Sequence, residues 1–186
     1  MITFPVHTLK TASEEGKARL EISQQSYGSI PNLHGVMAGS PTMLEAYQAL
    51  NKIFMKNSLN NVERNIIWMT ANYENGCTYC MAAHSLIAKM SGINESDLDA
   101  LRTGSELQDS KLQTLREFTR HVIAERGWVA PEQLEAMEAA GYTNETVLDV
   151  ILGVGMKTLS NYTNHVANTP LDDGFKDYEW EKRAAA

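Results

Sequence analysis

At 186 residues, with 43% hydrophobic and 8% aromatic side chains, the chain is long enough to bury one core and gives no reason for a second domain. Its net charge is −7 with Lys and Arg scattered, which excludes the basic footprint of a nucleic-acid or anionic-lipid binder. No apolar run approaches the roughly 18 residues of a membrane span and no basic-then-apolar leader opens the chain, so a cytoplasmic protein without nucleic-acid or membrane partners is expected.

Apolar residues recur at helical spacing nearly everywhere and no stretch alternates as a strand, so an all-α, single-domain fold is predicted. A first helix runs from about Ser13 to Tyr27 and is broken by Gly28-Ser29-Ile30-Pro31. Ser40-Pro41 starts the next, which carries Met43, Leu44, Tyr47, Leu50 and Phe54 on one face and ends near Asn57. Asn60-Asn61-Val62-Glu63 opens a third helix, whose Ile66, Ile67, Met69 and Tyr73 lead to a break at Asn75-Gly76. A helix from about Cys77 to Met90 stops at Gly92, and Asn94 caps a short one through Leu101. Asp109 or Ser110 starts another through about Glu125, Pro131 to Ala140 forms a further short one, and Asn144 caps a last long helix that ends before Pro170. The tail FKDYEWEKRAAA is charged and expected to be loosely held.

The chemistry concentrates in Glu74 to Ser85, ENGCTYCMAAHS, which holds both cysteines of the chain. At 100° per residue Cys77, Cys80 and His84 share one helix face. The i, i+3 separation suits the Cα distance a disulfide tolerates, roughly 4.4 to 6.8 Å, so the pair can cycle between dithiol and disulfide. A helix start and a nearby imidazole both raise the thiolate fraction, and the thiolate is the form that attacks a peroxide oxygen or a disulfide sulfur. Two other readings fit the same letters. Cys77, Cys80 and His84 supply three of four zinc ligands, although no second pair is in sight. Two cysteines can also simply be buried as small apolar residues.

The run from Ser58 to Met90, SLNNVERNIIWMTANYENGCTYCMAAHSLIAKM, resembles the core of the AhpD-like, carboxymuconolactone decarboxylase-like family, whose redox branch is marked by Glu-x-x-Cys-x-x-Cys-x-x-x-His. Here these are Glu74, Cys77, Cys80 and His84, and the late stretch LSNYTNHVANTPLDDGF is also similar. The resemblance covers about residues 26–175, leaving an N-terminal segment and helix, 1–25, and a tail, 176–186. It implies an all-α fold that forms homo-oligomers, and a thiol peroxidase of the alkyl hydroperoxide reductase kind that uses neither metal nor other cofactor. By position, Cys80 would be the peroxidatic thiolate, Cys77 the resolving thiol and His84 the base of a proton relay, with a dithiol protein as electron donor. The same resemblance admits a general protein thiol-disulfide oxidoreductase or a carboxymuconolactone decarboxylase-like enzyme, and a non-catalytic zinc-binding module remains the alternative from another class. Two positions depart from the family's pattern: many members carry a Glu where this chain has Asn65, and peroxidase members often carry a His between the cysteines, where this chain has Tyr79.

Further candidates surround this motif. Glu74, one turn before Cys77, can shuttle a proton through water or be a solvated helix-end acid. Glu63, three residues after Asn60, fits a capping box as well as a relay. Tyr79 can bond a substrate oxygen or pack. On the last helix Asn161, Asn164, His165 and Asn168 recur at three and four, opposite Leu159, Tyr162 and Val166, either as an ordinary wet face or as a polar lining for a pocket or subunit contact.

Overall fold

The computed structural model describes residues 2–182, and among them it contains nine α-helices, one 3-10 segment and no strand. The helices are α1 (Glu14–Tyr27), α2 (Asn32–Met37), α3 (Pro41–Phe54), α4 (Asn61–Glu74), α5 (Thr78–Met90), α6 (Glu95–Thr103), α7 (Ser110–Ala124), α8 (Pro131–Ala139) and α9 (Asn144–Ala167), followed by the 3-10 segment Asp173–Tyr178.

Their starts follow local chemistry. Ser13, Asn60, Asn94, Asp109 and Thr143 each accept a backbone N–H of the first turn through the side chain. Asn60 and Glu63 do so reciprocally. Ser40 makes no such bond, and α3 begins instead on the fixed φ of Pro41.

Helix α4 is the central rod. Ile66, Ile67, Met69 and Ala71 are fully buried along it, and α5, α6, α7 and α9 pack around it. Each such large apolar side chain contributes about 1.5–3 kcal/mol. Helix α9 comes unusually close, because Gly153 faces α3 and α4. A Cβ there would lie 2.8 Å from both Ile67 Cγ2 and Phe54 Cε2, so only glycine permits this approach. The N-terminal helix belongs to the same core, with Leu20 fully buried in it.

Three features differ from the sequence reading. Helix α2 occupies what reads as part of a break, since six residues behind Pro31 carry too little periodicity to be recognised. The tail is tied down: residues 173–178 pack on α5, and Trp180 Nε1 donates to the Arg102 carbonyl at 2.7 Å. Residues 183–186 lie outside the described part. Helix α9 turns Asn161 and Asn164 inward but leaves His165 and Asn168 exposed, with Tyr162 and Val166 56% and 69% exposed beside them, so only half of its polar stripe is a wet face.

Candidate active site

Between α4 and α5 the chain reverses at Asn75-Gly76. Gly76 takes φ +64°, and the Cys77 N–H donates to the Asn72 carbonyl at 2.9 Å. Cys77 is therefore the N-cap residue of α5 rather than a member of its first turn, and Cys80 sits in that turn. Both thiols are free and buried. They are not equivalent. Hydrogen bonding to Cys80, and then burial, push the Cys77 thiol far up. Burial also acts to raise Cys80, but the Cys77 S–H, the Lys157 charge and hydrogen bonds from Ser160 and Asn161 outweigh it and hold Cys80 well below the ordinary thiol range. These influences make Cys80 the more acidic thiol of the pair, with the Cys77 S–H directed at it.

The second half of the site comes from α9. Asn164 Nδ2 lies 3.2 Å from Cys80 Sγ and 3.9 Å from Cys77 Sγ. One turn earlier, Asn161 Nδ2 donates to Asn72 Oδ1 at 3.0 Å, and Asn161 Oδ1 accepts from Asn75 Nδ2 at 2.8 Å. Asn72 Nδ2 then donates to the Cys80 carbonyl at 3.1 Å, so three amides lock the cysteine turn between α4 and α9. One turn earlier still, Lys157 is fully buried with Nζ 3.0 Å from His84 Nε2. An ammonium in such a place needs a counter-charge. Among the described residues no carboxylate lies within 4 Å of it, and its charge acts to lower the Cys80 thiol. Burial, followed by the Lys157 charge, holds His84 well below its ordinary value, so the imidazole is neutral and accepts the lysine's hydrogen bond at Nε2.

These groups open onto a cavity of about 710 Å³. Cys80, His84 and Lys157 form one end, and Leu33, Tyr47, Trp68, Ile87, Met156 and Phe175 supply much of the apolar lining. The Trp68 and His84 rings meet edge to face at 5.3 Å. Tyr79 forms part of the wall, with its hydroxyl committed. It donates to Asp172 at 2.5 Å and accepts from the Leu33 N–H at 3.2 Å, tying α2 and the segment before residue 173 to α5. Its ring meets Phe175 edge to face.

The architecture recurs in solved structures. An AhpD-core, uncharacterized peroxidase-related protein from Ralstonia eutropha JMP134 is 22% identical, with a TM-score of 0.82 over 92% of this chain and 93% of that one. A peroxidase-related protein from Silicibacter sp. TM1040 is 19% identical, with a TM-score of 0.77 over 94% and 92%. The debrominase Bmp8, as its C82A variant with 2,3,4-tribromopyrrole, is 15% identical, with a TM-score of 0.78 over 96% and 95%. No curated protein sequence matches the chain. The profile of the carboxymuconolactone decarboxylase family matches residues 41–108, from the start of α3 past the end of α6 and across both cysteines and His84. The fold is AhpD-like, and residues 41–108 are similar to the carboxymuconolactone decarboxylase family.

Within this AhpD-like frame the structure brings Cys77, Cys80 and His84 to one place, and Asn164 joins them. No hydrogen bond links His84 to either thiol, because its accepting nitrogen is taken by Lys157. Glu74 is half-buried at the end of α4, with its carbonyl accepting from Lys182 and its charge acting on Arg116; its carboxylate bonds neither thiol nor His84. Glu63 is occupied at the other end of α4, capping Asn60 and lying 3.9 Å from Lys111. His165 is exposed and stacked on Tyr162, so it lines no pocket. Asn168 takes a left-handed φ of +48° as the C-cap of α9. Lys157 went unnoticed in the sequence, although it continues the stripe of Asn164 and Asn161 backwards at helical spacing. Among the described residues no group of three His, Cys, Asp or Glu side chains is placed to hold a metal ion, and no helix is long and apolar enough to cross a membrane.

Proposed function

We propose that the protein is a thiol-dependent peroxidase that reduces organic hydroperoxides through Cys80 and Cys77. The observation that carries this reading is the asymmetric thiol pair: Cys80, buried in the first turn of α5 with the Asn164 amide 3.2 Å from its sulfur and its thiol held down, and Cys77, the N-cap thiol, pushed up. The Cys80 thiolate attacks the terminal oxygen of R–O–OH, the O–O bond breaks, and the alkoxide leaves while Cys80 becomes a sulfenic acid. The alkoxide is protonated from the Lys157–His84 pair, Lys157 giving up the proton it shares with His84 Nε2 over the 3.0 Å contact. Lys157 thus stands where a carboxylate was expected from Glu74. The Cys77 thiol then condenses with the sulfenic acid, releasing water and forming the disulfide. An external dithiol restores both thiols, itself becoming a disulfide.

Both thiols are buried, and Cys80 borders a half-open, largely apolar cavity, which favours a small apolar oxidant over a protein disulfide. A second reading has a specific support: the same apolar cavity suits a ring, and the Bmp8 debrominase shares the fold, so Cys80 attack on an electrophilic halogen of a halogenated heterocycle belongs to the same site. Free thiols suit a cytoplasmic setting. The apolar residues exposed along α9, Leu148, Ile151, Tyr162 and Val166, suit a homo-oligomer. One equivalent of organic hydroperoxide is expected to remove two titratable thiols per chain, and Cys80→Ser to abolish peroxide consumption. Unchanged consumption in Cys80→Ser removes the assignment.

A further inference from the structure

The cavity follows the α4–α5 hairpin from the cysteine turn to the far end of α5. On α5 it is lined by Cys80, His84, Ile87 and Ser91, spaced by three and four, and on α4 by Trp68, Arg64 and Asn61, which run the opposite way. The Trp68 and His84 rings meet at 5.3 Å and set the register of the two helices. Arg64, one turn beyond Trp68, then stands level with Ala88, two turns past Cys80. At 1.5 Å of rise per residue, Arg64 and Cys80 are about 12 Å apart along the groove.

The charges along this groove are of one sign. The protein as a whole carries −7, yet the lining holds Arg64 and Lys157 and, among the described residues, no Asp or Glu. The two cations differ. Lys157 is fully buried, with Nζ on His84 Nε2. Arg64 is partly exposed, at the end where Ile87 and Met90 are 39% and 79% exposed. Its guanidinium is held without being neutralised: Nε donates to Asn57 Oδ1 at 2.9 Å, Nη1 to Asn61 Oδ1 at 3.1 Å and Nη2 to the Asn57 carbonyl at 2.9 Å. These bonds leave one N–H on each terminal nitrogen, the pair that a carboxylate engages. The charge of Arg64 acts on Asp149, but among the described residues no carboxylate lies within 4 Å of it.

We propose that Arg64 anchors the carboxylate of a long-chain acid whose hydroperoxide group lies at Cys80, so that the groove measures the distance between the two. About 12 Å corresponds to roughly eight to ten bonds of an extended chain, the separation found in a fatty acid oxidised near its middle. Leu33, Trp68, Ile87 and Phe175 supply apolar surface for the chain. Reduction at Cys80 turns the hydroperoxide into a hydroxyl and leaves the carboxylate as it was, so Arg64 sets specificity and takes no part in the chemistry. The choice of a hydroperoxide rests on the peroxidase reading, whereas capture of the anion needs no turnover.

The test uses the reduced full-length protein and decanoate, with 1-decanol as the uncharged match and decyltrimethylammonium as the opposite charge, and follows binding by calorimetry. Decanoate is expected to bind about tenfold more tightly than decanol. Arg64→Gln is expected to erase that preference while decanol still binds, which shows that the variant cavity is intact, and Arg64→Lys to keep part of it. In turnover, kcat/KM for 9-hydroperoxyoctadecadienoate is expected to exceed that for its methyl ester by a similar factor in the wild type and to match it in Arg64→Gln. The wild-type comparison stands without any variant: equal binding of decanoate and decanol, or tighter binding of decyltrimethylammonium, overturns the proposal. A preference for decanoate that survives Arg64→Gln and disappears in Lys157→Met places the anion at the wrong end of the groove and overturns it as well. Failure of the peroxidase reading is a separate result, namely unchanged peroxide consumption in Cys80→Ser, which leaves the decanoate and decanol affinities as they are.

Discussion

Helix α9 buries Val150 and Met156 in its first half, but from Lys157 on its inward face has the reverse of ordinary amphipathic chemistry. Lys157, Ser160, Asn161 and Asn164 point inward and are buried, while Leu148, Ile151, Tyr162 and Val166 point outward and are 50–69% exposed. A helix stabilised only by core packing would be turned the other way. The inward face contributes through specific bonds: an amide to the thiols, an amide chain to the cysteine turn and an ammonium to His84. The contrast shows that the buried polar groups of α9 gather around the two cysteines, while Gly153 on the same face lets α9 pack closely on α4.

The largest expected effect comes from removing the inward charge. Lys157→Met takes away both the counter-charge of Cys80 and the proton source behind His84. Hydroperoxide consumption is expected to fall on the order of a hundredfold or more. Thermal stability is expected to hold or rise, because an apolar side chain of similar length replaces a buried cation. Lost stability with retained activity would reverse the meaning given to that face. Next comes the spacing between the helices. Gly153→Ala puts a Cβ within 2.8 Å of Ile67 and Phe54 and should cost about 1–3 kcal/mol in urea unfolding, with loosening of the Asn161–Asn72 contact seen as faster amide exchange at Cys77.

The histidines give a pH test of the same region. Burial lowers His34 to about 4, and burial with the Lys157 charge holds His84 below its ordinary value. The unfolded chain takes up both protons as pH falls through about 6.5, while the folded chain resists. Stability contributed by the neutral rings is therefore full above that range and lost on acidification, by about 1.4 kcal/mol per pH unit for each histidine, until His34 protonates in the fold near pH 4. Denaturant midpoints from pH 8 to pH 4.5 check this. His34→Gln should halve the slope and leave the part belonging to His84, whereas a flat profile would mean that His84 is charged or solvated. The smallest effect belongs to the outer face: Tyr162→Ser with Val166→Ser should change monomer stability by no more than about 0.5 kcal/mol, and His165→Ala should leave peroxide consumption unchanged. Size-exclusion with light scattering on the double variant then reads the outer face for what it does between copies.

Much of this was legible in the letters, for physical reasons. Caps at Ser13, Asn60, Asn94 and Asp109 act within three residues, so the helix boundaries they set can be read locally. The spacing of Cys77, Cys80 and His84 likewise places them together without tertiary information. What depended on packing was not legible. Tyr162 and Val166 look like core by composition, but the face that holds Gly153, Lys157, Asn161 and Asn164 is the one turned inward, which leaves them outside. Lys157 reads as an ordinary surface lysine until the stripe it shares with Asn161 and Asn164 is known to face the thiols. Tyr79 illustrates a third case: its partner, Asp172, lies 93 residues away, so no local pattern announces that its hydroxyl is already in use.

The most direct measurement is the ultraviolet absorbance of the thiolate against pH, taken in the reduced wild type and in Lys157→Met. The wild type is expected to show one thiolate per chain formed well below the ordinary thiol range near 8.5, with the second appearing only far above it, and Lys157→Met to move the first upward past neutrality. A wild-type profile in which both thiols titrate together at or above that range, unchanged by Lys157→Met, would contradict a lysine-paired Cys80 nucleophile.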